Sequence, residues 1–177
     1  MKEKIIDKCM EWAKVIILAL IMGLGVTYFA VPTVVSGESM YPTLNTEDYL
    51  IINKVIYKND TPNRGDIVVF ETELENEKGN KKNLVKRIVG LPGEKLSIKN
   101  GDVYINDKLI NEPYVNNAYT AGDIELVIPK NQYFAMGDNR LVSKDSRNEE
   151  VGLVNESEII GKANIRLFPF KSLGIVS

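Results

Sequence analysis

Three short polar segments contain the side chains of this sequence that could do chemistry. Residues 36–44 read SGESMYPTL and include Ser39, a hydroxyl that could act as a nucleophile. Residues 86–94 read KRIVGLPGE and begin with a lysine, and residues 136–147 read MGDNRLVSKDSR, a run dense in small polar and charged side chains. Taken singly, each is also typical of an ordinary turn, surface strand or solvated loop, so no one segment establishes a site.

The composition restricts the base that such a serine could use. The chain of 177 residues has no histidine, which excludes a Ser-His-Asp triad, a Cys-His dyad and a histidine-ligated metal. It has one cysteine, Cys9, so neither an intramolecular disulfide nor a cysteine zinc cluster is possible. A nucleophilic hydroxyl would therefore need a lysine, a carboxylate or a tyrosine as its base.

Lys86 is the lysine whose surroundings suit proton transfer. It lies in an apolar stretch, Leu84–Leu91, which is interrupted only by the adjacent charges of Lys86 and Arg87. Neighbouring side chains of a strand point to opposite faces, so one of the two must face inward or toward a partly buried site. Burial lowers the pKa of a lysine by up to several units from about 10.4, and a neutral amine can accept a serine proton. The alternative is a surface lysine whose aliphatic stem lies along the sheet.

The first element that must position these residues is an apolar segment near the start of the chain. Val15–Val31 contains no charged residue, and Trp12 precedes it by about one turn. A bilayer core of about 30 Å takes roughly 20 apolar residues in a helix, with a lower limit near 17, and an indole favours the interface. The segment is apolar on every face, which disfavours a buried core helix, whereas a cleaved signal peptide shares its length and charged start. We expect an uncleaved transmembrane helix at residues 15–31.

Basic residues set the expected orientation of that helix. No lysine or arginine occurs from Pro32 to Asn53, whereas four lysines precede the apolar segment: Lys2, Lys4, Lys8 and Lys14. Basic flanks of a membrane helix stay in the cytoplasm, so residues 1–14 are predicted inside the cell and residues 32–177 outside it. The single cysteine then lies on the reducing side as a free thiol.

The part after the helix is predicted to be mainly β, an antiparallel barrel or sandwich. Short β-branched and aromatic runs are bounded by turn residues, and Asn100-Gly101 is a strong hairpin signal. The charged segment 71–83 is predicted to be an exposed loop. The predicted strands are 49–57, 67–72, 96–98, 103–105, 108–110, 124–128, 133–136 and 163–168.

Together the three segments resemble bacterial type I signal peptidase. GESMYPTL, KRIVGLPGE and GDNRLVSKDSR occur in this order after one N-terminal apolar segment, and the likeness covers nearly the whole chain. The short length resembles the small forms typical of Gram-positive bacteria. The resemblance implies that Ser39 is the nucleophile, that Lys86 is its general base, and that the Ser143 hydroxyl orients the lysine.

The resemblance also implies roles for the residues around this pair. Asp138 with Arg87, and Asp145 with Arg147, correspond to the family's structural charge pairs. Some relatives carry a serine two positions before the nucleophile as an oxyanion donor, but Gly37 stands there in this chain. The oxyanion would then rely on the backbone N–H of Ser39 and on other donors.

Substrate pockets and partners follow from the same resemblance. Family substrates carry small residues one and three positions before the cut, and we expect Val35, Leu84 and Val85 to wall the pockets that admit them. No cofactor and no metal is implied. The implied partners are preprotein signal peptides, membrane lipid and the protein-export machinery, and the place of action is the outer face of the cell membrane.

Two other functions would explain part of the sequence. Self-cleaving Ser-Lys proteins of the repressor type share such a catalytic pair but carry a cytoplasmic DNA-binding or polymerase-accessory segment in place of a membrane helix. A non-catalytic, membrane-anchored β-rich binding module would explain the helix and the strands but not the three polar segments. Nucleic acid is not an expected partner, since 22 Lys and Arg stand against 24 Asp and Glu.

Overall fold

The computed structural model describes residues 2–76, 78–116 and 119–176, apart from the side chains of residues 2–7, 9, 24 and 26. The predictions for Lys2, Lys4 and Cys9 therefore concern side chains outside the described part. Over the described residues the chain forms one long helix, α1 (Lys2–Phe29), followed by twelve strands. The strands are β1 (Ala30–Val34), β2 (Tyr49–Asn53), β3 (Ile67–Glu75), β4 (Lys81–Gly90), β5 (Lys95–Lys99), β6 (Asp102–Ile105), β7 (Lys108–Leu109), β8 (Ile124–Val127), β9 (Gln132–Met136), β10 (Val154–Asn155), β11 (Ile159–Phe168) and β12 (Gly174–Ile175).

The helix α1 is long and apolar enough to cross a bilayer. Its segment Met10–Phe29 has a mean hydropathy of 1.9, and none of that segment is buried against the rest of the protein. The helix ends at Phe29, so the predicted end at Val31 is wrong by two residues. Val31 precedes Pro32, which disfavours the helical conformation, and Ala30–Val34 instead pairs with β2 as an edge strand, where a proline is tolerated.

The larger sheet holds eight strands in the order β1-β2-β11-β3-β4-β9-β10, with β12 paired to β11. Residues of β2 favour a strand because every second side chain is apolar and faces the core. Leu50 and Ile52 point inward and are 0% and 1% exposed. The strand ends at Asn53 and not at Tyr57 as predicted. The Asn53 side chain accepts hydrogen bonds from the backbone N–H groups of Val55 and Ile56, which turns the chain into a short 3₁₀ helix.

The charged segment 71–83 is a hairpin and not the loop that was predicted. Strand β3 continues to Glu75 and β4 begins at Lys81, so only the tip remains outside the ladder. Lys81 forms ion pairs with Glu71 and Glu73 at 3.4 and 2.8 Å. Opposite charges across neighbouring strands stabilise pairing, which explains how so polar a sequence forms strands.

The smaller sheet has four antiparallel strands in the order β7-β6-β5-β8. Asn100 and Gly101 join β5 to β6 with φ angles of 55° and 90°, as a type I′ turn requires, so this hairpin prediction is confirmed. The apolar faces of the two sheets form three clusters of buried side chains, centred on Leu50, Phe134 and Phe70. The predicted fold class, mainly antiparallel β with one N-terminal apolar helix, is confirmed.

A continuous register connects the end of α1 to β4. Ala30, the first residue after the helix, is paired with Asn53, and Asn53 is paired with Lys162. Lys162 is paired in turn with Val68, and Val68 with Lys86. Lys86 therefore lies in the same row of the sheet as the residue that leaves the helix.

Candidate active site

The segment that carries Ser39 is held by the core next to it. Met40 and Leu44 are 1% and 0% exposed, and the N–H of Leu44 donates to the carbonyl of Met40 at 2.8 Å. The Ser39 carbonyl accepts the N–H of Asn139 at 3.1 Å. Buried apolar anchors and a bond to the third polar segment thus fix the serine backbone on both sides.

The side chains of Ser39 and Lys86 are in direct contact. The Nζ of Lys86 lies 2.7 Å from the Oγ of Ser39, a hydrogen-bond distance, although 47 positions separate them in the chain. A second hydrogen bond runs from Nζ to the carbonyl of Val85 at 2.9 Å. Two acceptors therefore hold the amine, one of them the candidate nucleophile.

The pKa of Lys86 is lowered from 10.5 to about 8. Burial is the main cause, because the side chain is 2% exposed and the charged form loses its hydration. The positive charge of Lys82 lowers it further, whereas the carboxylates of Asp145 and Asp138 raise it. A lysine whose pKa lies near 8 is neutral in a large fraction of molecules at pH 8, as a general base must be.

Arg87 and Asp138 form a buried bidentate ion pair. The Nε and Nη2 of Arg87 donate to the two carboxylate oxygens at 2.9 and 2.8 Å, and both side chains are at most 3% exposed. The hydroxyl of Thr43 donates to Asp138 at 2.5 Å, which ties the segment after Ser39 to the same pair. Tyr114 covers the guanidinium, with its ring centre 4.0 Å from the Arg87 Cζ.

Lys86 and Arg87 are both buried, whereas the sequence required only that one of them face inward or toward a partly buried site. The side chains still leave β4 on opposite faces, but the sheet is covered on both sides at this point. Arg87 is accommodated because Asp138 and the carbonyl of Gly65 satisfy its donors.

Asp145 and Arg147 form the second predicted pair. The Nε and Nη2 of Arg147 donate to the Asp145 carboxylate at 2.8 and 2.9 Å, and Asp145 also accepts the N–H of Gly137. Burial acts to raise the pKa of Asp145, but the hydrogen bonds and charge of Arg147 outweigh it and the net shift is downward. Asp145 is therefore a fixed negative charge near Lys86.

Ser143 does not hydrogen-bond to Lys86, which corrects the predicted contact. Its buried Oγ meets no full hydrogen-bond geometry within the described residues, although it lies close enough to Asp145 to help lower the pKa of that carboxylate. The Ser143 N–H donates to the carbonyl of Asn139, and this turn holds the side chain against Gly137. The carbonyl of Val85 takes the place that was expected for the hydroxyl, and a backbone carbonyl carries no signal in the sequence.

Gly37 leaves the oxyanion position without a side chain, as expected from the sequence. Its φ of 90° favours glycine, and its carbonyl accepts the hydroxyl of Thr46 at 3.0 Å. Within the described residues the N–H of Ser39 has no acceptor, so it is free to donate to a substrate oxygen.

A cleft of about 530 Å³ opens beside the dyad. One wall is formed by residues 31–40 and another by residues 82–86. The three predicted pocket residues, Val35, Leu84 and Val85, all line it. The cleft also contains residues that the sequence did not single out: Lys82, Val142, Lys144 and Ile160.

The support around the third segment includes a buried ion pair that was not predicted. Arg140 donates through two nitrogens to Glu112, and to the hydroxyl of Thr120 at 2.7 Å. Glu112 lies in the connection between β7 and β8, far away in sequence, and nothing in its surroundings there indicates a partner. In the described ranges, no cluster of three or more His, Cys, Asp or Glu side chains could hold a metal ion.

Known proteins of one family are similar to this chain in sequence. The model of a family described as signal peptidase, peptidase S26, matches residues 9–168. Signal peptidase I T of Bacillus subtilis is 38% identical over 93% of this chain and 88% of that protein, and a signal peptidase I of Bacillus amyloliquefaciens is 41% identical over 92% and 87%. A solved signal peptidase I from Enterococcus faecalis is 29% identical, covers 58% of this chain and 97% of its own, and has a TM-score of 0.48.

The family match spans all three polar segments, including Ser39, Lys86 and the charge pairs. It thus confirms the family and the class of enzyme, a serine endopeptidase, that the segments indicated. The chain belongs to the signal peptidase family, peptidase S26.

Proposed function

We propose that this chain is a membrane-anchored endopeptidase that removes signal peptides from exported preproteins, with Ser39 and Lys86 as its catalytic dyad. The observation that carries the proposal is the 2.7 Å contact between the Ser39 hydroxyl and a buried lysine whose pKa is lowered to about 8. Membership of the family supports signal peptide cleavage as the reaction.

The first half of the reaction is acylation. Neutral Lys86 accepts the proton of Ser39 as the serine oxygen attacks the scissile carbonyl carbon. The tetrahedral intermediate collapses when the lysine, now an ammonium, gives that proton to the departing amine of the mature protein. The signal peptide remains bound to Ser39 as an ester.

The second half releases the signal peptide. Lys86 is neutral again and takes a proton from a water molecule, which attacks the ester carbonyl. The proton returns to the Ser39 oxygen as it leaves, and the signal peptide departs as a carboxylic acid, which loses its remaining proton to water and becomes a carboxylate. In both halves of the reaction the Val85 carbonyl accepts one hydrogen of the Lys86 amine. The lone pair of the Lys86 nitrogen then remains directed at Ser39.

Negative charge that develops on the carbonyl oxygen requires a donor. The backbone N–H of Ser39 supplies one, because it has no acceptor among the described residues. Since Gly37 offers no hydroxyl, a preorganised backbone matters more in this chain, and the bond from Asn139 to the Ser39 carbonyl fixes the peptide unit that follows the nucleophile.

The register of the sheet supports action at the membrane surface. If α1 spans the bilayer, Ala30 emerges at its outer face, and four strand pairings connect Ala30 rigidly to Lys86. The N–H of Lys54 also donates to the carbonyl of Phe29 at 3.0 Å, which attaches β2 to the end of the helix. A signal peptide that still crosses the membrane would present its cleavage point at that level.

The orientation proposed for the anchor follows from charge. Lys8 and Lys14 lie exposed on the first part of α1, before the uncharged run that begins at Val15, and would remain in the cytoplasm. The catalytic domain then faces outward, and a link to the protein-export machinery would follow from the arrival of preproteins there.

The test is a cleavage assay with the full chain in lipid vesicles and a labelled preprotein. The wild type is expected to produce the mature protein, whereas Ser39→Ala and Lys86→Arg abolish the product, because arginine keeps the charge but cannot act as a base at neutral pH. Lys81→Arg is the matched control, since Lys81 lies exposed on the same strand and should leave cleavage unchanged. Processing by the Lys86→Arg variant would contradict the dyad, and an inactive wild type would favour a binding module.

A further inference from the structure

Lys82 is a second lysine in the cleft that the mechanism above does not use. It lies four residues before Lys86 on β4, so both side chains leave the strand on the same face, about 13 Å apart along it. Its side chain is exposed and forms part of the cleft wall.

Lys82 has no ionic partner in the described part of the chain, unlike Lys81, which precedes it on β4, and Lys144, the other exposed lysine that lines the cleft. Four other exposed lysines each form an ion pair with a carboxylate: Lys81, Lys95, Lys99 and Lys144. Lys144 also lines the cleft, where it is paired with Glu150. Lys82 is therefore a cation in the cleft that is available to a ligand.

The position of Lys82 relative to α1 indicates which part of a substrate would reach it. Val85, the residue before Lys86 on β4, is paired with Val69, and Val69 is paired with Gly161. This row of the sheet lies one residue nearer to the helix end at Phe29 than the row that contains Lys86. Lys82 lies three residues further in that direction. It therefore borders the membrane side of the cleft, where the part of the signal peptide before the cut must enter.

The substrate presents negative partial charge at this point. An apolar segment that crosses a bilayer must be helical, because its backbone groups find no partners in lipid. The last four carbonyls of such a helix have no partner within it and carry about half a negative charge. If the residues between this end and the scissile bond are extended, four of them at about 3.3 Å each span the distance from Lys86 to Lys82.

We propose that Lys82 binds the C-terminal end of the signal peptide's membrane helix, with its ammonium donating to the free carbonyls there. The inference rests on the proposed function and adds a subsite to it. Lys82 sets the distance between the end of the substrate helix and the cut, because Lys82 and Lys86 are fixed four residues apart on β4.

Lys82 also influences Lys86 directly, and the experiment must separate the two effects. Its positive charge lowers the pKa of Lys86, so its removal alters the base for every substrate alike. Capping acts only on substrates that present a helix end at the right distance. The ratio of kcat/KM between two substrates isolates the capping effect.

The experiment compares three substrates with the full chain in vesicles. They are a preprotein, the same preprotein with four Gly and Ser residues inserted between its apolar helix and the cut, and a short peptide that covers the cleavage site without the helix. For Lys82→Met we expect kcat/KM on the first preprotein to fall three- to tenfold more than on the peptide, mostly through KM. The lengthened preprotein should behave like the peptide, and Lys82→Arg should restore the difference.

Lys81→Met is the matched control, because Lys81 is the next residue on β4 and is bound to Glu71 and Glu73. It should leave the ratio unchanged. Equal losses on all three substrates, or no loss on any, would overturn the capping proposal while leaving the dyad intact. Failure of the wild type to cleave the preprotein at all would overturn the proposed function and this subsite together.

Discussion

Lys86 and Ser39 share a hydrogen bond in which either side chain can be the donor. At 2.7 Å the ammonium of Lys86 donates to the serine oxygen, and in the neutral state the serine hydroxyl can donate to the same nitrogen. Burial makes the second state accessible near pH 8, because it removes the hydration that normally keeps a lysine charged.

The first prediction concerns the pH dependence of cleavage. Because the proposed mechanism needs the neutral amine of Lys86, kcat/KM should rise about tenfold per pH unit up to about pH 8 and level off above it. The measurement is the initial rate of preprotein cleavage at low substrate concentration from pH 6 to pH 9.5. A rate that falls as pH rises through 8 would show that the protonated lysine is the active form and would contradict its role as base.

The second prediction is that Lys86 destabilises the folded state. The pKa of Lys86 is about 8 when folded and 10.5 when unfolded, so between these pH values the unfolded chain binds more protons and stability rises with pH. A shift of this size corresponds to about 3 kcal/mol, which the folded protein lacks below pH 8. The free energy of unfolding should therefore increase from pH 8 toward pH 10.5 by about this amount from Lys86 alone.

Lys86→Met tests this, because it keeps the length of the side chain without the charge. At pH 7 the variant should be more stable than the wild type in urea titrations, by up to about 3 kcal/mol less the two lost hydrogen bonds. The advantage should shrink as pH rises above 8. A variant that is less stable than the wild type at every pH would mean that burial of the Lys86 charge does not destabilise the folded state.

Much of the site could be predicted because its side chains are chemically distinctive. Ser39, Lys86 and both charge pairs were predicted from the resemblance of the three segments to a known family, and the absence of histidine left a lysine, a carboxylate or a tyrosine as the base. What could not be predicted depends on the backbone and on distant pairing. The Val85 carbonyl has no sequence signal, and the Glu112–Arg140 pair joins elements whose proximity only the fold reveals.

The fold departs from prediction where pairing overrides local composition. The segment 71–83 was expected to be a loop because it is charged, yet the ion pairs of Lys81 make it a hairpin. The helix end was placed at Val31 because apolarity continues there, yet Ala30–Val34 gains a strand partner in β2. In both places a tertiary contact decided the structure.

The third prediction concerns the close approach of two backbone segments at Gly137. A Cβ at this position would overlap the carbonyl oxygen of Ser39 and the Oγ of Ser143. Since the Ser39 oxygen belongs to the backbone, Gly137→Ala must displace the nucleophile, and a shift of about 1 Å can reduce the rate about 100-fold. Overpacking should also lower the free energy of unfolding by about 1–3 kcal/mol.

Gly174→Ala is the control for that substitution. Nothing lies within 4 Å of the position that its Cβ would take, so cleavage and stability should stay close to those of the wild type. Both variants are compared in the preprotein assay and in urea titrations. Wild-type activity in Gly137→Ala would show that Ser39 tolerates movement and that its backbone position is not critical.

The fourth prediction concerns substrate choice. Val85 lines the cleft one residue before the catalytic lysine and packs against the core cluster that contains Val35 and Met40. Val85→Ala should enlarge the pocket, so that preproteins with a residue one or two methylenes larger near the cut gain about tenfold in relative kcat/KM. Val127→Ala, on an exposed position of the smaller sheet, should leave the preference unchanged. The measurement is competition between two preproteins that differ only at the residue before the cut, and an unaltered preference in Val85→Ala would place the specificity pocket elsewhere in the cleft.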